Sequence, residues 1–165
     1  MVRKNETVYT KDLDNKQMCV SRRFEAPVEI VWAAWTDPEI LDKWWAPKPW
    51  KAVTKSMDFR EGGTWLYCMQ GPEGEKHWGR NDYHTIKPLE SMTGVDGFCD
   101  EDGVVNPAIA LTKWRTSFKS KEGSTLVDIV MTFNDAKDIQ VMIDMGFEEG
   151  FRMAHDNLDE LLSRK

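Results

Sequence analysis

Cysteine is scarce in this chain of 165 residues: Cys19, Cys68 and Cys99 are the full set, widely spaced and without a CxxC pair. That excludes a disulfide framework, offers no zinc-type spacing, and fits a reducing, cytoplasmic home. Histidine is equally sparse, with only His77, His84 and His155. His77 and His84 fall on one strand at an odd offset, hence on opposite faces, and no carboxylate stands at ligand spacing beside them; no metal site is expected. Positive charge is in deficit, with 22 Lys and Arg against 28 Asp and Glu and a formal net charge of −6. Binding phosphate backbones needs a basic face, so nucleic acid is excluded as the main partner. No apolar run reaches the length of a membrane span, and the opening residues MVRKNETVYTKDLDNK are polar, so neither a span nor a secretory signal is expected. Gly62-Gly63 is followed by neither lysine nor a helix start, and Asp100, Glu101 and Asp102 lack calcium-loop spacing. No cofactor is implied.

What the chain does have is apolar periodicity and tryptophan. Between Asp135 and Lys165, Ile139, Ile143, Phe147, Phe151, Ala154, Leu158 and Leu161 recur at steps of three or four. They form one stripe on a helix, with Glu148, Glu149, Arg152, Asp156, Asp159 and Glu160 on its other faces. Such a helix would be about 35–40 Å long, enough to cross a small domain. Asn134 or Asp135 caps it, and Met145-Gly146 is where it would divide. Eight tryptophans supply large rigid surfaces that suit core and pocket wall alike.

The rest of the chain reads mainly as strands. Residues 1–15 show no period and are expected to fray. Gln17 to Glu25 alternates, giving a first strand. Ala26-Pro27 opens a helix, and Asp37-Pro38-Glu39 caps and starts a second that ends before Ala46-Pro47. Six strands follow: Trp50–Phe59, Thr64–Gln70, the run ending before Pro88, Met92–Phe98, Thr112–Phe118 and Thr125–Phe133. Gly71-Pro72-Glu73-Gly74 favours a three-residue hairpin loop that pairs Met69 with His77, Tyr67 with Gly79 and Trp65 with Asn81. His77, Asn81, Tyr83 and Thr85 then share the face of Trp65, Tyr67 and Met69, whereas a two-residue loop would present Trp78, Arg80, Asp82 and His84. The polar stretch from Cys99 to Pro107 is a candidate rim or lid. The expectation is one α+β domain over residues 1–165, with a curved antiparallel sheet of six to seven strands around the long C-terminal helix.

The segments FEAPVEIVWAAWTDPEILDKWWAP, GGTWLYCMQGPEGEKHWG, FCDEDG and GFEEGFRMAHDNLDELL resemble the SRPBCC (START-like, helix-grip) superfamily. Within it they are similar to the branch named after the activator of the heat-shock chaperone ATPase, from about Met18 to Leu162. The resemblance implies a helix-grip fold with a cavity between sheet and helix, in which relatives bind lipids, sterols or polyketides; some relatives are cyclases or hydrolases. Two departures stand on the fourth strand: where relatives carry glycine and glutamate, this chain has Asn81 and Thr85. The missing carboxylate removes the obvious pocket acid.

The candidate site is collective. Trp65, Tyr67, Met69, Trp114, Phe118, Ile129, Met131, Phe147 and Phe151 project toward the gap between sheet and last helix. His77, Asn81, Tyr83 and His155 are its polar handles, and no residue is assigned a catalytic role. Methionines in the wall favour loose specificity. The leading expectation is a binding module for a hydrophobic small molecule. An enzyme using the same cleft, with His77, Tyr83 or His155 as its titratable group, and a chaperone ATPase cofactor are the alternatives. Trp78, facing outward, would serve as a homodimer surface or have no role at all.

Overall fold

A computed structural model describes residues 6–163. The elements in order are β1 (Val8–Asp12), β2 (Gln17–Phe24), α1 (Val28–Thr36), α2 (Pro38–Trp44), β3 (Lys51–Met57), β4 (Thr64–Gln70), β5 (Lys76–Lys87), β6 (Ser91–Cys99), β7 (Thr112–Lys121), β8 (Ser124–Thr132), α3 (Ala136–Asp144) and α4 (Phe147–Ser163). All eight strands form one antiparallel sheet in the order β1-β2-β8-β7-β6-β5-β4-β3. It is α+β, as the pattern of strands and amphipathic helix predicts, but the sheet has eight strands, not six to seven.

The added strand is β1, within residues 1–15 where no period is visible. An edge strand needs only one partner, so its register comes from backbone pairing with β2, Val8 opposite Ser21 through Asp12 opposite Gln17. Tyr9 locks it down: its hydroxyl donates to the Glu148 carbonyl at 2.6 Å, and its ring meets Phe147 edge-on at 6.3 Å. The paired short helices therefore follow the second strand rather than the first.

Alternation sets the concave face. Met18, Val20, Arg22 and Phe24 on β2 and Val127, Ile129 and Met131 on β8 are buried together, while their odd or even neighbours turn outward. Asp37 caps α2 by accepting from the Glu39 amide at 2.9 Å, and Asp135 caps α3 by accepting from Lys137 at 2.9 Å. The C-terminal helix divides where Met145-Gly146 suggested, with Gly146 at φ +88°, a left-handed value that glycine adopts without penalty.

The three-residue loop is the one adopted. The Gly71 amide donates to the Glu75 carbonyl at 2.8 Å, and Met69 pairs with His77, Tyr67 with Gly79 and Trp65 with Asn81. A bulge between Tyr83 and Thr85 then alters the face. Thr85 pairs with Thr93 and bonds its hydroxyl at 2.7 Å on the exposed side, correcting its expected place beside Tyr83.

One charge lies in the core. Arg22 is 1% exposed and donates to Asp156 at 3.0 Å, to Asp159, and to the Thr7 hydroxyl at 2.9 Å. The helix periodicity placed both aspartates on solvent faces; they instead hold α4 to β2. The Asn157 amide donates to the Ala46 carbonyl at 3.1 Å, fixing the same helix beside α2. Breaking a buried ion pair from one side costs about 3–5 kcal/mol, since the partner charges stay behind. Arg22→Ala is thus expected to lower urea-unfolding stability by about that amount. Lys119→Ala, which removes an exposed pair with Asp128, should cost under about 1 kcal/mol in the same assay.

Candidate functional site

Strand register places a row of side chains across the concave face: Met57, Trp65, Asn81, Asp96 and Thr112 on β3 through β7. On one side of it runs Tyr67–Gly79–Phe98, on the other Tyr83–Gly94–Trp114–Met131. The two glycines have a clear purpose. A Cβ on Gly79 would stand 2.9 Å from the Tyr67 Cζ and hydroxyl, and one on Gly94 would stand 2.7 Å from Trp114 Cζ2. The Tyr67 and Trp114 rings therefore lie over bare backbone, one on each side of Asp96.

The helices supply the opposing wall. Trp45, from the end of α2, meets Trp65 at 5.3 Å, Tyr67 at 6.3 Å and Phe151 of α4 at 5.9 Å. Trp65 and Tyr67 stack at 4.2 Å, and Phe151 lies 4.2 Å from His155. Further round, Trp114 meets Tyr83 at 6.2 Å, Tyr83 meets Phe59 at 4.9 Å, and Trp32 bridges Phe59 to Phe118. Edge-on contacts dominate, the geometry that ring quadrupoles favour. Trp65, Tyr83, Phe118, Ile129 and Met131 are buried by this mesh, whereas Tyr67, Met69, Trp114, Phe147 and Phe151 keep part of their surface open.

Asp96 is the residue that sequence reasoning missed. Burial pushes its carboxyl up to about 7, yet part of its surface remains accessible. Among the described residues no side chain hydrogen-bonds it or pairs with its charge. Tyr67 shares this setting: it is also partly accessible, and burial, then the Asp96 charge, raise its hydroxyl well above the usual range. The only sequence signal was that Asp96 sits between Gly94 and Gly97 on a strand weakened by both.

Three further polar atoms lack partners among the described residues, Arg22 Nε, Trp114 Nε1 and His155 Nε2, all fully buried. His155 is 1% exposed, not at a solvated helix edge, with its Nδ1 3.0 Å from the Thr7 hydroxyl. Burial, helped by the Arg22 charge, lowers it to about 3, so the ring is neutral near pH 7.

Other candidates lie apart. His77 is exposed against Trp50 at 5.3 Å and does not join the enclosed group. The Cys99–Pro107 stretch is tied to outer-face residues, with Lys55 donating to the Glu101 carbonyl and Arg80 to the Gly103 carbonyl, each at 2.7 Å. Trp78 is covered by Lys55, whose ammonium stands 5.7 Å from its ring centre. An open concavity of about 620 Å³ runs between α2 and the end of α4, past Lys43, Trp50, Asn157 and Leu161. Another of about 440 Å³ lies by Gln17, Lys113, Trp114 and Val130. Of the thirteen expected site residues only Trp114 borders either concavity.

The two titrating groups act on stability with opposite sign. Asp96 holds its proton more tightly when folded, so its stabilising effect is whole below about 3.8 and lost as pH rises through about 7. His155 binds its proton less tightly when folded, so its effect is whole above 6.5 and lost as pH falls toward 3. Asp96→Asn is expected to raise Tm by roughly 5 °C at pH 8, with the difference closing near pH 4 in thermal melts.

The fold and these features have relatives. The family model for "Activator of Hsp90 ATPase homolog 1-like protein" matches residues 25–163. No curated protein matches the sequence. Among solved structures, a Mycobacterium smegmatis protein superposes with a TM-score of 0.89 at 32% identity, covering 97% of this chain and 98% of that one. An Arthrobacter aurescens protein does so with a TM-score of 0.89 at 34% identity, covering 96% and 92%. A Rhodobacter sphaeroides protein, 18% identical with a TM-score of 0.85 and covering 97% and 100%, shares the fold. With the sheet closed by a C-terminal helix and the match running over nearly its whole length, the chain belongs to the family of activator of Hsp90 ATPase homolog 1-like proteins, within the SRPBCC superfamily.

Proposed function

We propose that this protein binds an apolar or aromatic small molecule, lipid-like or polyketide-like, between the concave face of the sheet and α4. The observation that carries this reading is the polar floor within an aromatic wall. Asp96 and Trp114 Nε1 have no partners among the described residues, and Tyr67, Met69, Trp114, Phe147 and Phe151 retain accessible surface. Buried polar groups are satisfied in nearly all native proteins, so groups left open on a concave face are suited to water or to a ligand. Each 100 Å² of apolar ligand surface buried there would contribute about 2.5 kcal/mol, and the polar groups would orient it. Side chains already fill much of the gap, so the ligand enters by displacing the partly exposed ones, Phe147, Phe151 and Met69.

A second reading is favoured by Asp96 itself. A carboxyl that titrates near 7 in an apolar recess is suited to accept a proton from a bound molecule, which would make the site that of an enzyme of cyclase, dehydratase or hydrolase type. Asp96 takes the place of the strand carboxylate that Thr85 lacks.

Titration with a solvatochromic lipophilic dye, read by dye emission and tryptophan quenching, tests the binding reading. Saturable binding with displacement by uncharged long-chain lipids is expected; a flat response from dye and a broad lipophile panel, with no shift in melting temperature, would overturn it. Gly79→Ala pushes the Tyr67 ring off its backbone seat and should weaken dye binding about tenfold, or about 1.4 kcal/mol. Gly123→Ala, in an outlying turn, should leave binding unchanged.

A further inference from the structure

Asp96 specifies more than an apolar guest. Its cross-strand neighbours are Asn81 and Thr112, both buried and neither charged. Gly79 lies diagonally across from it on β5 and Gly94 two residues back on its own strand, and their missing side chains leave room for the Tyr67 and Trp114 rings. The arrangement is a carboxylate with no cation paired to it among the described residues, flanked on two sides by aromatic rings. Lysine and arginine on the central strands point the other way: Arg80 pairs with Asp82 and Thr64 on the outer face, and Lys113 and Arg115 are exposed. The Asp96 charge raises the hydroxyl of Tyr67, after burial, while it is not among the causes acting on Tyr83 or His155.

A buried carboxylate left without a counter-ion is costly, and that cost falls when a positive charge with N–H donors arrives. Aromatic rings beside it favour the same charge, through attraction of a cation to the ring quadrupole. Resting on the binding reading above, we infer that Asp96 anchors the protonated amine of an apolar ligand, with the Tyr67 and Trp114 rings on either side of the ammonium. A neutral hydroxyl would satisfy the hydrogen bond but not the charge. A carboxylate ligand would meet a like charge and be repelled.

Three probes of one shape separate these cases: 4-phenylbutylamine, 4-phenylbutanol and 4-phenylbutanoate, titrated calorimetrically against the full chain at pH 8. The amine is expected to bind at least about tenfold tighter than the alcohol, with the carboxylate weakest. Asp96→Asn should erase the amine's advantage and leave the alcohol within about threefold of its former affinity. Equal binding of amine and alcohol to the unaltered chain, as for a merely hydrated Asp96, would overturn the inference and leave the binding reading standing. So would an amine preference that survives Asp96→Asn. Binding of neither the dye nor any of the three probes would overturn both. The unaltered chain alone decides between amine and alcohol should the variant fail to fold.

Discussion

The guanidinium of Arg22 ties the two halves of this molecule together. It rises from β2 into the core, where it meets Asp156 and Asp159 of α4 and the Thr7 hydroxyl ahead of β1. A helix resting on a sheet through apolar contacts alone is free to slide along its axis or roll. Two carboxylates spaced by three residues, both engaged by one planar cation, fix its position and rotation. That setting decides what else on α4 faces inward. Phe151 falls between Trp45 and His155, and His155 is sealed among Phe24, Trp35 and Trp44.

Around that fixed helix the rings form a nearly continuous chain, from Trp114 through Tyr83, Phe59, Trp32 and Phe118 to Trp35, Trp44, Trp45, Trp65 and Tyr67. It begins and ends over glycines, and between those ends lies Asp96. The electrostatics are divided accordingly. At the Arg22 end, burial and then the nearby positive charge keep His155 neutral; at the Asp96 end, burial alone acts on an acid that no cation accompanies among the described residues. One end of the concave face is a packed clamp of rings and ion pairs. The other holds an acid with accessible surface and no partner among the described residues, and the proposed chemistry is placed there.

Much of this was legible residue by residue. Pro72 and Gly74 set a loop length, and loop length set the register that brought Asn81 to Trp65 and Gly79 to Tyr67. Asp37 announced a helix start that the structure keeps, and of Asn134 and Asp135 the structure makes Asp135 the cap. What failed to show was whatever depends on partners distant in sequence. Asp156 and Asp159 read as solvated because periodicity reports only apolar faces, and β1 had no pattern because an edge strand is held by its neighbour's backbone. Thr85 was misplaced because a bulge adds one residue and turns the following side chain to the other face. Asp96 stayed unremarked between two glycines of a strand that looked weak; those glycines are where the rings lie.

Turns, caps and short apolar periods act over a few neighbours, so the elements after β1, their antiparallel pairing and the amphipathic helix follow from the order of the residues alone. Which polar groups lie inside, and what each one meets there, depends on the assembled fold. Burial of a charge is a property of everything that surrounds it, and for Arg22, His155 and Asp96 those surroundings come from segments far apart along the chain.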